Sequence, residues 1–184
     1  MRSVAALLAH HPVLDRQREV VTTAITNLDL HDISRSAYTY GLSHLFVAHP
    51  VQAQRELALR VRSHWTEGSG AKRIPDRKPA MGILTVVTSL DDALAELGQP
   101  EIWVTSAQAG DRPSLSYEAA RDALKDEGPS VLIVFGTGWG LAPSVLERAA
   151  AQLEPVKSPR ADGYNHLSVR AAAAITFDRL LGPR

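Results

Sequence analysis

Short apolar runs alternate along the chain with stretches in which apolar residues recur every three or four positions. The runs at 4–9, 45–48, 83–88, 102–106, 131–135 and 153–156, with a β-branched run at 20–26, predict strands. An uninterrupted apolar run such as 131–135 is what a strand covered on both faces requires. The stretch 29–40 has the helical period and stops at Gly41, a residue suited to the left-handed position beyond a helix end. Pro50 opens a helix over 51–64. Ser89 caps another, with Asp91 and Asp92 near the positive end of its dipole. Further helices are expected from Ser114 or Ser116 to 127, over 143–151, and from Asn165 or Ser168 to 181. Between 66 and 79 the sequence is polar with two glycines and two prolines, and reads as a loop. Repeated β-α units predict an α/β fold of three layers around a mainly parallel sheet, as one domain over 1–184.

Composition narrows the chemistry. A chain of 184 residues without cysteine has no disulfide, thiolate metal site or cysteine nucleophile, and suits a reducing cytoplasm. The apolar run after Ser3 ends at His10-His11-Pro12, too early for a signal peptide, and no run approaches the about 18 residues of a membrane span. The seven histidines are scattered without the i, i+4 spacing of a helical zinc site, so no metal is expected. No serine lies in a G-x-S-x-G elbow. Twenty cations balance twenty anions, so a nucleic-acid partner has to be met by a local patch. The segment Lys72-Arg73-Ile74-Pro75-Asp76-Arg77-Lys78, extended by Arg55, Arg60 and Arg62, is such a patch, or else a solvated loop.

Three loops leave the carboxyl ends of predicted strands, where open α/β sheets bind ligands. Phe135-Gly136-Thr137-Gly138-Trp139-Gly140-Leu141 has three glycines in five positions, which allow tight turns and close approach of the backbone to a ligand. It is neither a P-loop nor the Rossmann fingerprint, and a turn needed only for packing is the plainer reading. The others are Thr105-Ser106-Ala107-Gln108-Ala109-Gly110 and the segment 157–166, which holds Gly163, Tyr164, Asn165 and His166. A fourth segment, Asn27-Leu28-Asp29-Leu30-His31-Asp32-Ile33-Ser34-Arg35, is dense in functional groups, although a strand-to-helix join capped by Asn27 or Asp29 accounts for it equally well.

Taken together, the segments 27–41, 135–141 and 164–170 resemble the three motifs of the SPOUT superfamily of RNA methyltransferases. More narrowly the chain is similar to a bacterial family of S-adenosylmethionine (SAM)-dependent RNA methyltransferases, often found beside or fused to the tRNA guanine-N1 methyltransferase. The resemblance implies a parallel sheet with a C-terminal deep trefoil knot, SAM held by the knotted loops, a homodimer, and an RNA substrate, tRNA or rRNA. The implied cofactor residues are Thr105, Ser106 and Ala107, continuing to Ala109; Phe135, Gly136, Thr137, Gly138, Trp139 and Gly140; and Tyr164, Asn165, His166 and Leu167. Arg35, supported by Asn27, would orient the acceptor, with Asp32 or Asp162 taking its proton. Gly138→Val would then block SAM without unfolding the chain. The alternative is a non-catalytic SAM- or RNA-binding module that partners another methyltransferase.

Overall fold

The computed structural model describes residues 1–108 and 113–184. Its centre is β1 (Val4–Ala9), every residue of which is buried. Alternate residues serve opposite faces of the strand. Val4, Ala6 and Leu8 join one core, and Ala5, Leu7 and Ala9 the other. Around β1 the hairpin strands β2 (Val13–Leu14) and β3 (Val20–Val21) are followed by α1 (Asn27–Thr39), β4 (Leu45–Ala48) and α2 (Gln52–Thr66). Next come α3 (Ser69–Arg73), a 3₁₀ turn (Pro75–Arg77), α4 (Lys78–Gly82), β5 (Leu84–Val87) and α5 (Leu90–Glu96). The chain continues through β6 (Glu101–Val104), β7 (Ser114–Leu115), α6 (Tyr117–Lys125), β8 (Val131–Gly136), α7 (Pro143–Leu146), β9 (Ala151–Leu153) and α8 (Val169–Leu181).

Seven strands form one sheet in the order β5-β4-β1-β8-β6-β9-β7, and every pairing is parallel. Helices cover both faces, one core gathering α1, α6 and α8 and the other α5 and α7, so the α/β reading with a parallel sheet holds. The strand order reverses between β1 and β8, which brings Ala9 beside Gly136 at their carboxyl ends. That is the topological switch point, where a ligand crevice forms in such sheets. α8 lies against α1 and α6, with Phe177 edge-on to Phe135 at 5.7 Å.

Two expectations fail for identifiable reasons. Only Val20–Val21 of the run 20–26 is strand, and it pairs antiparallel with β2 outside the main sheet. Both edges of β1 are already taken by β4 and β8. In addition, Asp15 Oδ1 accepts from the amides of Gln17 (2.8 Å) and Glu19 (2.9 Å), turning the chain back at once. The segment 66–79 is largely helical and not a loop. Its prolines fall in the first turns of the 3₁₀ turn and of α4, where a missing N–H costs no bond. Smaller differences lie at element ends. Thr26 caps α1, so neither Asn27 nor Asp29 does; Ser116 caps α6, Ser168 caps α8, and α7 ends at Leu146.

Candidate functional site

The loop after β8 is shaped mostly by the protein itself. Trp139 N donates to Leu14 O (2.8 Å), Leu14 N to Gly140 O (2.9 Å), and Gly140 N to Thr137 O (3.1 Å). The β2–β3 hairpin is therefore zipped onto the loop at the carboxyl end of β8. Gly138 has φ +60°, and a Cβ there would meet Leu14 O at 2.8 Å; one at Gly136 would meet Leu141 N at 2.8 Å. These two glycines are demanded by backbone contacts within the chain, and the valine expected to block only SAM would collide with the hairpin. Gly140, at φ +107° with nothing within 4 Å of an added Cβ, is open. Phe135 is 2% exposed, so its ring belongs to the core and only its backbone faces the loop.

With the hairpin on one side, the accessible side of the glycine loop faces β6 and β9. There Asn165 Nδ2 donates to Ala107 O (3.1 Å), joining the loop that follows β9 to the loop that follows β6. The His166 ring lies 6.4 Å from that of Trp139 and 5.2 Å from that of Tyr164. The three loops thus meet at one place. A cleft of about 270 Å³ opens between Ala107, Pro155, Lys157, Ser158, Gly163 and Asn165. Trp139 and Tyr164 are 52% and 61% exposed at this edge. Thr105 is turned away, its hydroxyl donating to Val134 O (3.1 Å), and Ser106 Oγ accepts from Gln108 N (3.2 Å). Ala109 lies outside the described residues.

The segment 27–35 is the first part of α1. Thr26 caps the helix by accepting from Asp29 N (3.1 Å), and its hydroxyl donates to Asp29 Oδ2 (2.7 Å). Asp29 also accepts from Arg170 Nη1 (3.1 Å), and Arg170 Nε lies 3.6 Å from Asp32. Arg170 stands two positions beyond the cap of α8, so this partly buried pair ties the Asn27 end of α1 to the end of the third loop. Asn27, His31 and Arg35, spaced by four, share one stripe of α1. Arg35 is exposed and stands about 12 Å along the axis from Asn27. Burial, with Arg77 and Arg35 nearby, pushes His31 below its ordinary value, so its ring is neutral at pH 7. Asp162, by contrast, is held down by Arg160, whose guanidinium pairs with its carboxylate, and is a poor proton acceptor.

A sequence profile of the family described as SAM-dependent RNA methyltransferase matches residues 3–182. The chain belongs to that family. At 45% identity, 98% of it aligns with 42% of the length of a tRNA (guanine-N(1)-)-methyltransferase of Nitratidesulfovibrio vulgaris, so it spans under half of that relative. Among solved structures, the fold is shared with a probable methyltransferase from Bordetella pertussis (TM-score 0.65, 17% identity, covering 97% of this chain and 94% of that one). It is shared also with a TrmH/SpoU tRNA modifying enzyme of A. aeolicus (TM-score 0.55, 14% identity, 98% and 75% covered). The SPOUT-type reading of the motifs is thus met at the level of family and of α/β fold.

Beneath the glycine loop this methyltransferase-family chain holds a buried polar network that sequence reading missed. His10 Nδ1 lies 3.0 Å from Thr23 Oγ1, which bonds Thr137 Oγ1, and Thr137 Oγ1 donates to Ala9 O (3.2 Å). His49 Nε2 donates to Thr23 O (2.9 Å), and its ring lies 5.5 Å from that of His10. Burial, and next His49, push His10 down to about 4. His10 Nε2 has no hydrogen-bond partner among the described residues. A histidine that follows an apolar strand was the only signal in the sequence, and its partners come from distant segments. Among the described residues no group of three or more acids and histidines could hold a metal ion. No described helix is long and apolar enough to cross a membrane.

Proposed function

We propose that this chain works as one domain in the cytoplasm as a SAM-dependent methyltransferase acting on tRNA or rRNA, with SAM in the cleft shared by 105–107, 136–140 and 163–167. The observation that carries the cleft assignment is the meeting of three strand-end loops through Asn165 to Ala107 and His166 to Trp139. The residues fit the group. Gly140 leaves room where a side chain would stand, and the exposed rings of Trp139 and Tyr164 offer faces to an adenine. Bound SAM supplies an electrophilic methyl group. The chain's own task is to hold an acceptor oxygen or nitrogen in line and to accept its proton. Arg35 and Asn27 orient the acceptor. Asp32, whose contact with Arg170 is long at 3.6 Å, is better placed to take the proton than Asp162, which Arg160 holds in a close paired contact.

The relative from Nitratidesulfovibrio vulgaris is more than twice as long as the region it shares with this chain, so the acceptor atom is not carried over from its name. A knotted C-terminus is part of the proposal. From β9, near one edge of the sheet, the chain crosses the loop after β6 at Asn165 and returns to the centre as α8 against α1, a course that supports threading. So is a homodimer. Leu28 on the first turn of α1 and Leu167 in the loop just before α8, 60% and 45% exposed, are apolar side chains suited to cover by a second copy. They are close in sequence to the Asp29 and Arg170 that tie those two helix ends.

A non-catalytic module drew its support from zero net charge. Seven of twenty cations but three of twenty anions fall between Arg55 and Lys78, so the balance hides a segregated positive surface, and that support is gone. Calorimetric titration with SAM and transfer of labelled methyl to bulk tRNA and rRNA test the proposal. Saturable SAM binding with methyl incorporation is the expected result, and SAM binding without incorporation into either RNA would return the chain to the module class.

A further inference from the structure

A second cavity, of about 240 Å³, opens between α1 and α2 and is lined by Asn27, Arg60, Val61, His64 and Trp65. It is separate from the cleft of the three loops. Its aromatic wall is fixed before anything binds. The Arg77 guanidinium lies over the Trp65 ring at 4.8 Å, and the His31 and His64 rings lie 5.2 Å and 5.0 Å away. Val61 continues the apolar wall.

The rim is polar and unengaged. Asn27 and Arg60 are exposed, and neither side chain has a hydrogen-bond or ionic partner among the described residues. An asparagine amide presents an acceptor and two donors, the set that pairs with the edge of a base. A free guanidinium matches a phosphate. On the helices packed against α2, Lys72, Arg73 and Lys78 are exposed cations without an ion pair among the described residues, within the positively charged stretch 55–78.

We infer that this slot holds one unstacked nucleobase of the RNA substrate, stacked on Trp65 with its edge toward Asn27 and its phosphate toward Arg60. Single-stranded RNA is read in this way, by aromatic stacking and by hydrogen bonds to base edges, on a surface that follows the backbone by charge. An apolar peptide side chain would satisfy the wall and leave the cation surplus and the free amide unused. The inference rests on the RNA-methyltransferase reading and adds to it a base subsite reached from the same end of α1.

The test uses the whole chain labelled with ¹⁵N, whose three tryptophans give separate indole N–H signals. Trp65→Phe assigns one of them. Addition of a short single-stranded RNA of mixed sequence is expected to shift the Trp65 signal, whereas heparin, a polyanion without bases, and SAM alone leave it in place. Val61→Trp fills the slot and keeps every cation, so RNA affinity should fall about tenfold or more, the effect of losing one stacked base, with SAM affinity unchanged. RNA binding that leaves the Trp65 signal unmoved overturns the slot, as does parental RNA affinity in a folded Val61→Trp. The indole readout does not depend on Val61→Trp and needs only Trp65→Phe for its assignment, so it stands if Val61→Trp does not fold. A parent chain that binds neither SAM nor RNA overturns the methyltransferase reading and the slot with it.

Discussion

His10 is fully buried beside His49 with its pKa drawn down to about 4. Folding favours the neutral ring, so its contribution is complete above the ordinary value of 6.5 and is lost as pH falls from 6.5 toward 4. The loss reaches about 3 kcal/mol at its limit. Urea unfolding at pH 7 and at pH 4.5 should show that fall in the parent and a smaller one in His10→Gln. Gly138 makes a different demand. A Cβ there is strained at φ +60° and meets Leu14 O, so Gly138→Ala should cost about 1–3 kcal/mol in the same assay. Loss of SAM binding in that variant would then report the hairpin's seat as much as the cleft. Arg35 separates chemistry from binding. Exposed on α1 and outside the three loops, Arg35→Ala should leave SAM affinity unchanged in calorimetry and lower kcat/KM by more than about tenfold, or 1.4 kcal/mol. Undiminished methylation would leave Arg35 a solvated helix residue.

Among the elements, α2, α3 and α4 together form the positively charged face, and their cations divide into two kinds. Arg77 is committed to the Trp65 ring and to His31, whereas Lys72, Arg73 and Lys78 are exposed and have no ion pair among the described residues. Replacing those three by glutamine should weaken RNA binding and reduce the slope of log affinity against log salt by about 0.7–0.9 for each phosphate no longer neutralised. Thermal stability should change little, since the three are exposed and unpaired. The measurement is filter binding across a salt series. The helical form of this stretch was hidden because two glycines and two prolines suggest a loop when read singly. Each proline in fact begins a new turn, a position that depends on where the preceding helix stopped.

At the scale of the molecule, the hairpin 13–21 holds the glycine loop through Leu14, and the loops after β6 and β9 join at Asn165 and Ala107. Trp139, Tyr164 and Leu167 are exposed on the loops that meet there, and Leu28 is exposed on the first turn of α1. Light scattering at micromolar concentration should therefore give twice the 19.9 kDa of one chain, and Leu28→Asp with Leu167→Asp should shift it toward the single-chain value. A monomeric parent would count against the dimer.

Strand and helix identity came from period and length, which are local. The burial of every residue of β1, the run at 131–135, the caps at Ser89 and Ser168 and the end at Gly41 all follow from residues within a few positions of one another. The motifs, read jointly, also disclosed the family and the loops that now meet. Tertiary structure alone decided the rest, because those outcomes rest on segments far apart in the chain. β3 was kept out of the sheet by strands that had already occupied β1. Gly138 was fitted against Leu14 by a hairpin folded back on the loop, and Gly136 against Leu141 by the turn of the loop itself. Arg170 was joined to Asp29 across 141 positions. Trp65 was brought against Asn27, Arg77 and His31 by the packing of α1 on α2 and its neighbours, a juxtaposition that no spacing in the sequence encodes.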